Sequence, residues 1–354
     1  MAEFSPTTPR PPSYRHGFKI AIICALTLEA DAVETLFDQH WDTRIYGKSE
    51  GDTNAYSFGM IGLHNVVLVH MPGMGKGNAA TAAASCRASF PGIRLALVVG
   101  ICAGVPFTRH SGEILLGDVI ISDALVQYDF GRQFPDGFRR KETALDNLRK
   151  PPDAIRSLLS KLKGRRAQKM LRERTNSHLE TLHRELGECA VYPGTKDDKL
   201  FQSTYRHKHQ GSTCTHCTVL EDGLSIVCDM ARTSTCEILG CDLNQLVLRK
   251  RHRQATSSTG SSQRLPQPMM HFGTFASGDT VMKSGEDRDK IAAQENVIAF
   301  EMEGAGVWEI FPSVIIKGVC DYADSHKSKR WQEVSKSQRY LYPIACSETR
   351  SICQ

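Results

Sequence analysis

Short apolar runs rich in β-branched residues recur along this chain. They include FKIAIICAL at 18–26, NVVLVHMP at 65–72, RLALVVG at 94–100, VIAF at 297–300 and SVIIKGVCD at 313–321. Runs of this length and composition are strands buried on both faces, the habit of parallel sheets. Helical patterns stand between them. TLEADAVETLFD follows the first run, and GMGKGNAATAAASCRASF, at 73–90, is a Gly-rich turn opening into an Ala-rich helix. AYSFGMIG reads as a further strand, and LGDVIISDALVQYDF, at 116–130, as a strand pair or one long strand. Strands alternating with helices predict a layered α/β domain with a largely parallel sheet.

The alternation is interrupted once. Residues 139–270 are dense in Lys and Arg, poor in strand-like runs and punctuated by cysteine, and the α/β pattern resumes at HFGTFASGD, 271–279. The expected organisation is one domain, 18–138 with 271–332, carrying a long insertion at 139–270. Residues 1–17, Pro-rich and polar, read as a disordered lead-in, and 333–354 as an atypical C-terminal tail. Within the insertion, 153–186 has the period of one or two amphipathic helices, and QATSSTGSSQ, 254–263, has linker composition. With 354 residues, 40% of them apolar, a sizeable core is expected, and no run is long enough to cross a bilayer. A net charge of +5 is too mild to imply a polyanionic partner. Twelve cysteines with no apolar leader fit reduced thiols in the cytoplasm.

Two clusters in the insertion invite specific readings. CTHC, 214–217, is a C-x-x-C pair that Cys228, Cys236 and Cys241 could complete as a zinc site. The spacings match no known ribbon or finger, so free thiols and no metal are expected. RKRHR, 249–253, lacks interleaved aromatics and reads as a solvated basic face, not a nucleic-acid site.

Acidic residues cluster where apolar runs end: Glu29 after IAIICAL, Glu301 and Glu303 after VIAF, Asp321 after VIIKGVC. Ligands of open α/β sheets bind at the C-terminal ends of strands. One such carboxylate is an ordinary helix cap; three together point to a site rich in carboxylates. Glu301 is read as structural, pointing away from Glu303. GMGKG lacks the P-loop spacing, and a tight turn before a helix explains it equally well.

The order of ICALTLEADAV, GMGKGNAA, LGDVIISD, SGDTVM, FEMEG and GVCDYAD resembles the nucleoside phosphorylase and nucleosidase superfamily. It looks most like the 5′-methylthioadenosine/S-adenosylhomocysteine nucleosidase branch, and especially its fungal versions, which often precede NTPase and repeat domains in immune-type proteins. The resemblance covers 18 to about 138 and 271 to about 332. It implies the three-layer nucleoside phosphorylase fold, with a central mixed twisted sheet flanked by helices. It also implies roles. Glu303 accepts hydrogen bonds from the ribose hydroxyls and Met302 lies against the sugar. Asp321 is the acid at purine N7, and Glu29 is the base that activates water. Val281 and Met282 hold the base and Trp331 stacks on it, while Cys102, Ala103 and Gly104 form the small-residue loop beside the nucleoside.

Phosphorolytic relatives place arginines around a phosphate after the first and central strands. Here those loops read CALTLEADAV and ICAGVPF, with no arginine before Arg109. Hydrolysis of a purine nucleoside or nucleotide without a cofactor, by a homo-oligomer, is therefore the expected function. Phosphorolysis, or a nucleoside-binding module without catalysis, are the alternatives.

Overall fold

The structure, a computed structural model, describes residues 10–109, 112–141, 148, 150–186, 193–210, 214, 217, 226–257, 268–327 and 331. The tail expected at 333–354 and much of the lead-in and linker lie outside these.

In chain order the first half comprises β1 (Ile20–Cys24), α1 (Thr27–Glu34), β2 (Gln39–Trp41), β3 (Ala55–Ile61), β4 (His64–His70), α2 (Lys76–Ser89) and β5 (Leu95–Gly104). Then come β6 (Phe107–Thr108), β7 (Gly112–Glu113), β8 (Val119–Gln127), β9 (Gly131–Phe134) and β10 (Gly137–Arg140). The insertion carries α3 (Asp153–Leu162), α4 (Arg165–Leu186), α5 (Asp229–Thr233), α6 (Cys236–Leu239) and α7 (Lys250–Ser257). The chain returns as β11 (Met270–Ser277), α8 (Gly285–Glu295), β12 (Val297–Glu301), α9 (Gly304–Trp308) and β13 (Ser313–Asp321). LGDVIISDALVQYDF thus forms one long strand, β8.

Nine strands form one sheet in the order β12-β11-β8-β13-β5-β1-β4-β3-β2. The central pairs β13–β5, β5–β1 and β1–β4 are parallel, while β13–β8, β3–β4 and β2–β3 are antiparallel. The sheet is therefore mixed and flanked by helices, the nucleoside phosphorylase fold. Antiparallel pairing of β12 with β5 curls one end of the sheet back on itself. That curl carries Glu301 to the same edge as the C-terminal ends of β1, β5 and β13.

Strand alternation builds a core on each face of the sheet. On β1, Ala21 and Ile23 face one layer, with Ala79, Ala82 and Ala83 of α2 and Val307 and Trp308 of α9. Ile20, Ile22 and Cys24 face the other, with Ala30 and Val33 of α1. Each large apolar side chain buried here stabilises the fold by roughly 1.5–3 kcal/mol. The first two insertion helices share this second core: Ile155, Leu158, Leu159 and Leu162, at i, i+3, i+4 and i+7, pack into it with Leu171. They cover the sheet, so the domain's core draws on residues from the segment expected to be an insertion.

Trp331 was expected to stack on a purine. It is fully buried in the first core and does not line the cavity described below.

The basic run RKRHR also departs from expectation. Arg249 is only 4% exposed; its guanidinium donates to the carbonyls of Pro106 and Ile114 and lies over the rings of Phe107 and Tyr322. Arg251 pairs with buried Asp118, and His252 lies 3.1 Å from Asp198. Glu113 accepts from the backbone N–H groups of Lys250 and Arg251 at 2.8 and 2.9 Å. Arg249, Arg251 and His252 clasp α7 to the fold because carboxylates stand opposite them, Asp118 and Asp198 buried and Glu113 half-buried, while Lys250 and Arg253 are exposed.

Candidate active site

A cavity of about 170 Å³ opens where β1, β5, β12 and β13 end. Glu29, Glu303 and Asp321 all line it, each at most 6% exposed. Each is held by a different device. Glu29 sits in the first turn of α1, and its Oε2 accepts from the N–H groups of Ala25 and Leu26 at 2.8 and 2.9 Å. Its Oε1 accepts from Ile101 of β5 at 3.2 Å, so one carboxylate bridges two neighbouring strand ends. Asp321 closes β13: Oδ1 accepts from Ala323 N–H at 2.8 Å and Oδ2 meets the Lys327 ammonium at 3.0 Å. Asp324 accepts from His326 N–H at 2.9 Å and is not a lining residue, so it caps the turn.

The EMEG segment separates its two glutamates. Glu301 Oε2 accepts from the N–H groups of Glu303 and Gly304 at 2.9 and 2.8 Å. It starts α9 and fixes where Glu303 points. Burial pushes the Glu301 carboxyl up; the pull of Lys317 opposes this, and Glu303 adds to the rise. Glu303 instead meets Lys317 Nζ at 2.7 Å. The small residues behind it serve a close helix contact: a Cβ on Gly306 would lie 2.2 Å from the Lys76 carbonyl of α2, and one on Gly304 would strike Ile315 and Glu301.

Lys317 was missed by the sequence reading. It is 1% exposed, in the middle of β13, and 3.9 Å from Glu301 as well as paired with Glu303. Burial alone would lower its pKa, but Glu303, Glu301 and Glu29 together hold the ammonium above the usual lysine range. A Cβ at Gly100 would lie 2.7 Å from Lys317 Nζ and 2.8 Å from Glu29 Oε1, so only glycine lets this ammonium and carboxylate approach across β5. The signal was present in VIIKGV: a lysine inside an otherwise apolar buried strand requires a partner.

Met302, Cys102, Ala103, Val281 and Met282 also line the cavity. Gly104 does not; a Cβ there would meet Val319 and Ile114, so it serves strand packing. Burial, opposed by Lys317, keeps the Cys102 thiol well above its ordinary range and hence protonated, which leaves no thiolate nucleophile there. No arginine lines the cavity among the described residues. The lysine of GMGKG is committed elsewhere: Lys76 Nζ holds Asp129 at 2.6 Å, and Asp279 accepts from its backbone N–H at 2.8 Å. The start of α2 is thus occupied by a carboxylate. A larger cavity, about 550 Å³, lies between β6, Phe201 and α8; none of the three carboxylates reaches it.

Comparison with known proteins agrees with this architecture. Residues 19–185 match the family described as the Phosphorylase superfamily. A methylthioadenosine/S-adenosylhomocysteine nucleosidase of Helicobacter pylori shares the fold with a TM-score of 0.51 at 13% identity, covering 95% of this chain and 98% of its own. The corresponding nucleosidase of S. pneumoniae gives 0.52 at 16% identity over 94% of this chain and 99% of its own. A futalosine hydrolase of H. pylori gives 0.50 at 14% identity over 95% and 98%. At such identities the likeness is one of fold. The α/β domain is thus similar to the Phosphorylase superfamily over residues 19–185 and shares its fold with these nucleosidases. A nucleotide-binding leucine-rich repeat (NLR)-like protein of the fungus Hyaloscypha variabilis is 29% identical over 341 residues, 94% of this chain. The chain spans 29% of that relative's length.

Proposed function

We propose that this chain hydrolyses the N-glycosidic bond of a purine nucleoside, adenosine-like and open to a 5′ substituent. The observation that carries the reading is the convergence of Glu29, Glu303 and Asp321 on one buried cavity that no arginine lines among the described residues. Cleavage breaks the C1′–N9 bond, and its electron pair leaves with the purine. Asp321 gives a proton to N7, which makes the base a better leaving group. The Lys327 ammonium, 3.0 Å away, then stabilises the carboxylate left behind. Glu303, held by Lys317, accepts from the ribose hydroxyls and offers negative charge to the cationic sugar. Met302 lies against the sugar, and Met282 and Val281 against the base. A water attacks C1′ and passes its proton to Glu29. No step calls for a cofactor.

Phosphate has no evident seat in this cavity: Lys317 and Lys327 are each paired with a carboxylate. A nucleoside-sensing role without turnover is the second reading, favoured by the NLR-like relative. Homo-oligomerisation and a cytoplasmic location belong to the same proposal. For the latter, no helix among the described residues is long and apolar enough to cross a membrane.

The test is a panel of purine nucleosides and nucleotides incubated with the chain, with and without phosphate, with detection of free base and sugar. Free base with free pentose, at rates indifferent to phosphate, is the expected result. Base release that requires phosphate and yields a pentose 1-phosphate would assign phosphorolysis. Tight binding without base release would assign the sensing role.

A further inference from the structure

Two groups of cysteine and histidine converge in the insertion. His209, Cys214, Cys217 and Cys228 bring four potential ligand atoms within 4.8 Å of one another. His209 Nδ1 lies 3.5 Å from Cys217 Sγ and 3.6 Å from Cys228 Sγ, and Cys214 Sγ lies 4.0 Å from Cys228 Sγ. In the second group His207, Cys241 and His326 also lie within 4.8 Å. His207 Nδ1 is 3.6 Å from Cys241 Sγ and 3.7 Å from Cys236 Sγ.

These separations have a chemical meaning. A disulfide needs sulfurs at about 2.05 Å, so the thiols are not poised to pair. Zinc bonds of about 2.3 Å to sulfur and about 2.0–2.1 Å to nitrogen, at tetrahedral angles, set sulfur–sulfur edges near 3.8 Å and sulfur–nitrogen edges near 3.6 Å. The clusters have nearly those edges.

The surroundings also orient the ligands. His207 Nε2 donates to the Ser234 carbonyl at 2.9 Å, which leaves the Nδ1 lone pair facing the two thiols. His326 is 7% exposed and stacks on Phe201 with ring centroids 4.2 Å apart; its Nε2 has no hydrogen-bond partner among the described residues. Cys228 caps α5, its sulfur accepting from Ala231 N–H at 3.4 Å. Gly240, at φ +67°, ends α6 so that Cys241 folds back onto Cys236, with its N–H donating to the Cys236 carbonyl at 3.0 Å.

We propose that the insertion holds two structural zinc ions, one bound by His209, Cys214, Cys217 and Cys228, the other by His207, Cys236, Cys241 and His326. Three thiolates with one imidazole, and two with two, are donor sets that suit tetrahedral zinc. YRHKH supplies one histidine to each ion, and this interleaves the two sites. The second site has a further consequence. His326 belongs to the loop that leaves β13, between Asp321 and its partner Lys327. The ion therefore pins the insertion to the loop bearing the candidate acid. The free-thiol expectation gives way on this proposal.

The test is metal analysis of the full chain, purified without added metal and independent of any activity. About two zinc ions per chain are expected, with a first shell by X-ray absorption averaging about 2.5 sulfurs and 1.5 nitrogens. Cys214→Ser with Cys217→Ser should remove one ion, and Cys236→Ser with Cys241→Ser the other. Should those variants not fold, His209→Cys and His326→Cys, which keep a zinc-competent ligand, should retain about two ions. A folded chain with less than about half an equivalent overturns the proposal, as does zinc lost on simple desalting, an adventitious ion only. A single ion that only the first pair of substitutions removes overturns the second site.

Discussion

The strand-end cavity and the Cys/His insertion solve the same problem, fixing polar side chains in buried space, by opposite means. In the cavity the backbone does the holding. Two N–H groups after β1 and one from β5 grip Glu29, and the N–H groups of Glu303 and Gly304 grip Glu301. Such carboxylates are in place once the sheet forms. In the insertion the polar groups face one another across short helices and loops; His207 reaches the Ser234 carbonyl, and His326 lies against the rings of Phe201, Tyr205 and His207. A site of the first kind is inherited from the fold; a site of the second kind needs a ligand to hold it, because unpaired thiols and imidazoles gain little from meeting.

The comparison breaks most readily at Lys317, where the cavity also depends on a side chain. Lys317→Met removes the ammonium and leaves Glu303, Glu301 and Glu29 buried without it. Loss of one partner from a fully buried pair costs about 3–5 kcal/mol, read as a fall in denaturant midpoint. Lys317→Arg should recover part of it. A wild-type midpoint for Lys317→Met would mean that the backbone alone suffices.

A smaller effect sharpens the contrast where insertion meets domain. Burial would raise the Asp118 carboxyl, but His271 and Arg251 outweigh it and hold it below the usual range. A depressed carboxylate contributes stability above its unfolded value, about 3.9, and loses it as pH falls through the lower folded value. Asp118→Asn should therefore cost about 1.5–3 kcal/mol at neutral pH. The gap from wild type should close on acidification below pH 4, followed by thermal melts across pH. A gap constant with pH would contradict the clasp.

The same division decides what the sequence made legible. Glu29, Glu303 and Asp321 were legible because each follows an apolar run, and strand ends of an α/β sheet share one edge. Alternation could not separate Glu301 from Glu303, since residues i and i+2 of a strand share a face; the turn from β12 into α9 between them does so. Lys317 was hidden by reading VIIKGV only for its apolar residues. Trp331 and Gly104 were placed by resemblance, and the packing of this chain's core puts both away from the cavity. The helices at 153–186 had legible period but not legible address, since an amphipathic face does not name the surface it covers. RKRHR needed Asp118, Asp198 and Glu113, all distant in sequence. Likewise His326 lies far in sequence from Cys241, which it meets, so no spacing rule could have included it.

The central claim is that the cavity delivers a proton from Asp321 to a departing purine. Asp321→Asn still donates a hydrogen bond but cannot supply the proton. The most direct measurement compares wild type and Asp321→Asn on a purine nucleoside and on p-nitrophenyl riboside, whose leaving group needs no proton. The account predicts a fall of about a hundredfold to ten-thousandfold on the purine nucleoside with little change on the nitrophenyl riboside. Equal losses on both substrates, or none on either, would contradict it.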